Sequence, residues 1–417
     1  MMEKCVLFFL AAAMMGSIAF CKEEWPSPVN WEPDKRAVES GLYIQPVEPA
    51  QNGKVTFTVK EPSGVDRREW PVRGSIPMHR GELTDPNNIQ LTDKSGKAVP
   101  VQGMTTAYWP DGEVKFLCID FLTSLKANEE KTYTLAYGTS VKPSKQDISV
   151  KKGDSLSVDT GKAQFVFRKG KSFLALSGAG LKSAPVTGQA DVAKNEKGED
   201  PQSVDLVIDK LTVVEQGPVQ ATVHLEGHYG EDKAREPTAN PDVWRYPASI
   251  FMRIYNQTGR VYIQHTIGYN GDEYKDFLKR YGLRISPGFD NAEFQYGPDA
   301  KTAAKAPLGV RINQWAHDQW ELKGAAEASG KRFGGWAGIR SSQGRVFLGM
   351  REAWQNWPVA ISATKDGDLF YEILGEKEDR ALDLRYEKPD SRLNHLKMIK
   401  SHSMYIGTKL SKYYSSR

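Results

Sequence analysis

Hydrophobic and polar positions alternate along the first third of the chain. Val55, Phe57 and Val59 are each followed by a polar residue, and this period of two predicts a half-buried β-strand. Turn sequences such as Trp109-Pro110-Asp111-Gly112 separate the short apolar runs. Further strands are predicted over residues 89–91, 98–101, 104–109, 113–121 and 131–137. We therefore expect one compact β-barrel or small sandwich over residues 42–145.

The same kind of pattern continues almost to the C-terminus. Polar segments at 182–203 and 230–245 predict surface loops, and residues 272–280 predict one short helix, because Tyr274, Phe277 and Leu278 share a helical face. The strands expected in this part cover residues 163–168, 204–214, 219–225, 248–255, 261–269, 309–315, 335–340, 345–351, 369–374 and 401–407. Residues 146–410 are therefore expected to form a large antiparallel β-sandwich, which makes the fold class all-β.

Composition agrees with a β-rich globular protein. The 417 residues include 37 Gly, 23 Pro and 10 Trp, and 39% of the chain is hydrophobic. Lys and Arg number 56 against 52 Asp and Glu, a net charge of +4 that is spread along the chain. This charge is too small for a dedicated nucleic-acid binder. Beyond the first twenty residues, no apolar run is long enough to span a membrane.

The N-terminus has the features of a secretion signal. Lys4 precedes a short apolar run at residues 6–15, and small residues lead to a cleavage site near Ala19. We predict a cleaved signal peptide over residues 1–19 and an extended, Pro-rich linker over residues 20–41. The mature protein is then expected to be secreted or periplasmic.

The cysteines predict no disulfide framework. Lipidation at Cys21 is the alternative interpretation of the N-terminus, and the large Phe20 before it argues against that interpretation. Cys118 lies in an apolar run, where we expect a small buried hydrophobic residue.

No nucleotide, redox or metal motif identifies a cofactor, and a bound Ca²⁺ has no motif to support it. His224 and His228 are four apart, but on a strand their side chains stand about 13 Å apart at about 3.3 Å per residue. We predict two separate surface or edge histidines rather than a metal site. For His265 the alternation leaves two interpretations open, a hydrogen-bonded core residue and a base in a cleft.

Tryptophans and polar side chains are concentrated at residues 351–358. Trp354 and Trp357, together with Arg351, either line a saccharide groove or close the core of the sandwich. The same two interpretations apply to Trp315 and Trp320, which flank a His-Asp pair.

Three phrases carry a resemblance to a known family. These are PMHRGEL at residues 77–83, VPVQ at residues 99–102 and WPDGEVK at residues 109–115. In order and spacing they resemble the N-terminal RIFT barrel of the exo-rhamnogalacturonan lyase and YetA-like family. Residues 217–219 and 382–385 are similar to that family's central β-sandwich.

The resemblance implies β-elimination on a uronate-containing, pectin-type polysaccharide. This reaction needs a cation near the uronate carboxylate and a base for the α-proton. Arg284, Arg351, His265 and Tyr269 are of suitable types, but the sequence does not bring them together, so the catalytic residues stay unassigned. The candidate substrate contacts are Arg351, Trp354, Trp357 and His265.

Members of this family continue into a large α/α toroid, and no long amphipathic helices occur in this chain. We therefore weigh two functions, a lyase and a non-catalytic glycan-binding module that partners a separate toroid polypeptide. The expected ligand in both is a uronate-containing polysaccharide or oligosaccharide.

Overall fold

The computed structural model of the chain describes residues 52–142, 148–178, 180–231, 244–271, 274–374, 381–382 and 398–407, with the backbone alone for 398–400. The predicted signal peptide, the predicted linker, Cys21, most of the predicted loop at 230–245 and residues 383–385 lie outside the described residues.

Two small antiparallel sheets form the first unit. One sheet has the order β1-β7-β3-β4 and the other the order β2-β6-β5. The strands are β1 (Asn52–Lys60), β2 (Arg67–Pro77), β3 (Ile89–Asp93), β4 (Ala98–Val99), β5 (Val101–Tyr108), β6 (Val114–Leu125) and β7 (Glu130–Gly138).

Aromatic side chains close the core of this unit. The rings of Phe57, Phe121 and Tyr133 lie with centroids 5.0–6.0 Å apart. Strand β1 alternates exposed and half-buried positions because one face covers this core. Strand β6 is buried along most of its length. Its Cys118 is 5% exposed, which confirms the prediction of a small buried residue.

Antiparallel strands of two large sheets form the second unit. Its strands are β8 (Ser149–Lys152), β9 (Leu156–Asp159), β10 (Gln164–Phe167), β11 (Leu174–Gly178), β12 (Leu181–Ala193), β13 (Gln202–Gln216), β14 (Gln220–Tyr229), β15 (Pro247–Tyr255), β16 (Arg260–Tyr269), β17 (Phe277–Ile285), β18 (Glu293–Tyr296), β19 (Ala304–Ala306), β20 (Val310–Ala316), β21 (Gln319–Gly324), β22 (Ala328–Gly330), β23 (Trp336–Arg340), β24 (Arg345–Met350), β25 (Val359–Ala363), β26 (Leu369–Ile373) and β27 (Met398–Gly407).

The first large sheet has the order β8-β9-β10-β11-β12-β17-β26-β25-β20-β21-β22, and the second has the order β13-β14-β15-β16-β27-β24-β23-β18-β19. A short β12–β13 ladder joins them. The apolar faces of both sheets meet in one continuous core, with fully buried Phe165, Tyr281, Ile263 and Ile361. The all-β fold class is confirmed.

The described residues form no helix, and none of them makes a helix able to cross a membrane. The helix predicted at 272–280 is wrong, because its described second half begins strand β17. A β-bulge explains the error: Asp191 pairs with Arg280 and Val192 with Leu278, so Lys279 is an extra residue. The extra residue interrupts the alternation of buried and exposed positions in β17. The spacing of its apolar residues then resembles that of a helix.

Several strands lie where the sequence predicted none, and β12 and β2 show two reasons for this. Residues 182–203 were predicted to be a loop, but β12 occupies most of this segment and pairs with β17. Its buried positions include the small Ala184 and Ala190, so the hydrophobic signal is weak. Strand β2 contains Pro71 and Pro77 and lies at a sheet edge, where proline is tolerated.

Polar contacts dock the two units. Gln102 at the start of β5 accepts hydrogen bonds at Oε1 from the backbone N–H groups of Val219 (3.2 Å) and Gln220 (3.0 Å). Its Nε2 donates to Glu215 at 2.6 Å. On another side, Arg260 Nη1 donates to the carbonyl oxygen of Glu69 at 2.7 Å. These contacts fix how the barrel meets the sandwich.

Candidate functional site

A groove lies where the two units meet, with a volume of about 430 Å³. We call it the inter-domain groove. The first unit contributes residues of β1 and β2, the segment between them and the end of β6. The sandwich contributes the last residue of β24, the two residues that follow it and one residue of β27. The lining residues are Val59, Lys60, Glu61, Pro62, Ser63, Arg67, Trp70, Pro71, Val72, Arg73, Thr123, Leu125, Met350, Arg351, Glu352 and Tyr405.

Trp70 is surrounded by cations and by a second aromatic ring. The guanidinium carbons of Arg67 and Arg260 lie 4.6 and 4.8 Å from its ring centre, within the range of cation–π attraction. The ring of Tyr405 lies 5.8 Å from it. Burial lowers the pKa of Arg67 from its ordinary value, and the Glu61 carboxylate 3.3 Å away opposes that effect.

Two carboxylates hold two of the groove's arginines. Burial alone would raise the pKa of Glu61, but hydrogen bonds from backbone N–H groups, with help from Arg67, bring it below its ordinary value. Arg73 donates to both oxygens of the buried Asp120, at 2.8 and 2.6 Å, and this pairing raises the pKa of Arg73. Arg67 and Arg73 are therefore committed to structural ion pairs.

Arg351 lies in a different environment from Arg67 and Arg73. Its backbone N–H donates to the carbonyl oxygen of Ser403 at 3.0 Å, so the residue is anchored where β24 ends. The next residue, Glu352, has a φ of 56°, a left-handed conformation that turns the chain sharply. The Arg351 side chain is 59% exposed, and its ion pair with Glu352 is 3.5 Å long. An exposed pair of this kind contributes little, so Arg351 is available to a ligand.

The two tryptophans that follow are not core residues. Trp357 is 47% exposed. Trp354 is half-buried, and the guanidinium carbon of Arg332 lies 4.1 Å from its ring centre. The exposure of Trp357 argues against the interpretation that this residue closes the core of the sandwich. A large exposed aromatic side chain instead favours a binding surface.

His265 does not line the groove. Its side chain is fully buried inside the sandwich, with its Nε2 3.0 Å from the hydroxyl of Tyr229. Burial lowers its pKa to about 3, so the imidazole is neutral near pH 7. The structure therefore supports the core interpretation, and we remove His265 from the candidate substrate contacts.

The other residues considered for β-elimination also lie away from the inter-domain groove. Tyr269 is buried, and its hydroxyl donates to the carbonyl oxygen of Asp276 at 2.9 Å. Arg284 lies over Phe370 of the neighbouring strand β26 in the first large sheet, 5.6 Å from the ring centre. Of the original candidates, only Arg351 lines this groove.

His224 and His228 have separate partners, as predicted, but they are not surface residues. Both are 4% exposed. The first contacts Ser249 at 2.8 Å and the second Asp209 at 2.9 Å. Their strand β14 lies inside its sheet, where neighbouring side chains cover it. No group of three His, Cys, Asp or Glu side chains in the described parts of the chain is placed to hold a metal ion.

Sequence reasoning missed Trp70 and Tyr405 as groove residues. Trp70 lies on β2, where the sequence predicted neither a strand nor a site residue. Tyr405 lies on the last described strand, which was predicted only as a strand. No local pattern connects these residues with Arg351, because the groove joins distant segments.

Comparison with protein families matches both units. The PcRGLX-like N-terminal RIFT barrel domain matches residues 66–142, and the PcRGLX-like protein central β-sandwich domain matches residues 148–295. Together the two matches cover more than half of the chain.

Individual relatives are distant. The uncharacterised protein YetA of Bacillus subtilis is 22% identical over 235 residues, which are 54% of this chain and 26% of YetA. The chain thus spans about a quarter of that relative's length.

Two solved structures share the fold. An alpha-mannosidase from Enterococcus faecalis has a TM-score of 0.51 over 85% of this chain and 43% of its own. A glycosyl hydrolase family 38 protein from the same organism has a TM-score of 0.52, over 86% of this chain and 44% of its own. Both are 11% identical to this chain, so the likeness concerns the fold alone.

Proposed function

Because the chain belongs to the PcRGLX-like family, whose RIFT barrel and central β-sandwich it contains, we propose that it binds uronate-containing saccharides of the pectin type in the inter-domain groove. The family relates it to rhamnogalacturonan lyases, whose substrates carry carboxylates. A groove for such a substrate needs an accessible cation and flat apolar surfaces for sugar rings.

The observation that carries this proposal is the position of Arg351. Its side chain is 59% exposed at the edge of a groove that also contains Trp70 and Tyr405. The other arginines of the groove are held by buried Glu61 and Asp120, so an incoming carboxylate meets Arg351 without breaking a buried ion pair.

Substitution of Arg351 tests the binding. We expect Arg351→Ala to weaken binding of a rhamnogalacturonan oligosaccharide by about tenfold or more, since a charge-assisted hydrogen bond contributes about 1.5–3 kcal/mol. Titration calorimetry on the folded variant measures this change.

Two control variants separate charge from geometry. Lys365→Ala removes a cation at an exposed position outside the groove and is expected to leave the affinity unchanged. Arg351→Lys keeps the charge but loses the bidentate geometry, so an intermediate affinity is expected. Equal affinities of the protein and its Arg351→Ala variant would contradict the proposed site.

For the reaction itself we propose β-elimination. One observation favours it: Tyr405 lines the groove together with Arg351, so a phenol and an accessible cation share one site. In this scheme a basic group takes the proton α to the carboxylate, the electron pair forms the new C=C bond, and the 4-linked sugar leaves with a proton from an acid. Arginine stabilises the negative charge that develops on the carboxylate.

An ultraviolet assay for the unsaturated uronate product distinguishes the two functions. A steady rise in absorbance that is lost in Tyr405→Phe supports the lyase. Binding without any rise supports the alternative, a glycan-binding module that acts beside a separate toroid polypeptide.

Export of the protein is part of the same proposal, because a polysaccharide substrate lies outside the cell. It is supported by the signal-like residues 1–19. N-terminal sequencing of the secreted or periplasmic protein is expected to give a start near residue 20. A full-length chain retained in the cytoplasm would contradict it.

A further inference from the structure

A second pocket, of about 720 Å³, lies at one end of the sandwich. The turn between β20 and β21 forms one wall, and the segment that follows β22 forms another. Its lining residues are Pro298, Asp299, His317, Asp318, Trp320, Ser329, Gly330, Lys331 and Arg332. Trp320 is 4% exposed and belongs to the core, whereas His317, Lys331 and Arg332 are exposed.

One buried side chain braces both walls of this second pocket. Gln314 is fully buried. Its Nε2 lies 2.6 Å from the carbonyl oxygen of Ala316 and 3.1 Å from that of Lys331, and its Oε1 accepts from the backbone N–H of Phe333 at 2.7 Å. The pocket is thus shaped before any ligand arrives, which reduces the entropy lost on binding.

Arg332 is the cation of this pocket best placed for a ligand. Its guanidinium stacks 4.1 Å from the ring centre of Trp354. Stacking on a ring leaves the N–H groups at the edge of the guanidinium plane, where they can bind both oxygens of a carboxylate. Among the described residues no carboxylate lies within ion-pair distance of Arg332.

The second pocket lies close to the inter-domain groove. Arg351 lines the groove, and Trp354 contacts the pocket's Arg332. The two residues are three positions apart, so their Cα atoms are at most about 11 Å apart even in an extended chain. The segment 351–358 therefore lies between Arg351 in the groove and Arg332 in the second pocket, and the exposed Trp357 belongs to the same segment.

We infer that the second pocket is a further subsite for an acidic saccharide, in which Arg332 binds the carboxylate of a second uronate in a chain whose first uronate contacts Arg351. Hydroxyl groups of the sugar find acceptors in Ser329 and Asp318 on the pocket walls. This inference rests on the proposed function, because it assigns the same class of ligand to a binding site that extends from the inter-domain groove into the second pocket.

Ligands of two lengths test the inference. Rhamnogalacturonan disaccharide and octasaccharide are titrated calorimetrically into the full chain and into its Arg332→Ala variant. We expect the octasaccharide to bind at least about tenfold more tightly than the disaccharide, because the second contact forms within one complex. In Arg332→Ala we expect this advantage to disappear while the disaccharide affinity stays unchanged.

Two further variants keep the test decisive. Arg340→Ala removes the same charge at an exposed position that lines neither site, and it is expected to bind both ligands normally. Arg332→Lys keeps the charge but loses the planar stacking group, so it is expected to lose most of the length advantage. If Arg332→Ala fails to fold, the affinities for the two ligands are compared in Arg332→Lys instead.

The outcomes separate the two proposals. If the wild-type protein binds both ligands but Arg332→Ala retains the octasaccharide advantage, the second subsite is wrong and the groove stands. If Arg332→Ala loses the disaccharide as well, the assignment of the two subsites is wrong. If the wild-type protein binds neither ligand, the proposed function fails, and the inference fails with it.

Discussion

Burial decides the chemistry of individual residues in this protein. His265 and Trp357 were both candidates for substrate contact in the sequence. The structure leaves the first with no exposed surface and the second 47% exposed. A buried imidazole is neutral because desolvation penalises its charged form, and an exposed indole keeps a flat face for a ligand.

The lowered pKa of His265 predicts how stability depends on pH. The pKa is about 3 in the folded chain against 6.5 for an ordinary histidine, so the unfolded state binds more protons between these values. The free energy of unfolding therefore decreases as the pH falls through this window. We expect His265→Gln to make this decrease shallower by about 1.4 kcal/mol per pH unit between about pH 6 and about pH 3.

Urea unfolding at several pH values measures the slope for each variant. His317→Gln, at an exposed position, serves as the control and is expected to keep the wild-type slope. Equal slopes for wild type and His265→Gln would show that the folded protein protonates this imidazole readily.

At the scale of elements, turns explain why the phrases shared with the family, such as WPDGEVK at residues 109–115, are short and specific. In the turn that leads into β6, the backbone N–H of Gly112 donates to the carbonyl oxygen of Trp109 at 2.9 Å. Gly112 has a φ of 87°, which residues with a Cβ atom rarely adopt. Local chemistry of this kind can be read from sequence because it involves only neighbouring residues.

Replacement of Gly112 by alanine tests whether the turn requires this backbone conformation. A Cβ atom at Gly112 would meet no other atom within 4 Å, so only its backbone conformation opposes alanine. We expect Gly112→Ala to lower the free energy of unfolding by about 1–2 kcal/mol. Gly74 on β2 is the matched control: its Cβ position is also open, but its φ is not positive. Gly74→Ala is expected to be neutral or slightly stabilising in the same denaturant titration.

Strand β17 shows where element-scale reasoning fails. Its bulge at Lys279 is set by the partner strand β12 in the three-dimensional sheet. The local sequence does not indicate which strand pairs with β17, so the irregular hydrophobic spacing predicted a helix. Strand β12 itself was predicted as a loop, because its buried face contains small side chains.

At the scale of the whole molecule, the candidate site depends on how the barrel docks on the sandwich. Gln102, in the VPVQ phrase, satisfies two backbone N–H groups at the start of the sandwich strand β14. Gly217 lies so close that a Cβ atom there would be 2.5 Å from the Gln102 side chain. The resemblance thus identified docking residues, although no local pattern indicated their role.

Loss of the Gln102 side chain is expected to weaken this docking. Gln102→Ala leaves the N–H groups of Val219 and Gln220 without their acceptor, and we expect a loss of about 2–3 kcal/mol in the free energy of unfolding. Denaturant unfolding measures it. Gln90→Ala, at an exposed position on β3, is the control and is expected to change stability by less than about 0.5 kcal/mol. A Gln102→Ala variant as stable as the control would contradict the docking role.

The sequence by itself determined the all-β class, most of the longer strands and the turns, because alternation and turn chemistry act between near neighbours. It also carried the family phrases and the segment with Arg351, Trp354 and Trp357. Only the tertiary structure decided which of these side chains are exposed, and it alone brought Trp70 and Tyr405 beside Arg351. The reason is physical: a groove between two units is formed by residues far apart in the chain, and their proximity results from sheet pairing and docking rather than from any local pattern.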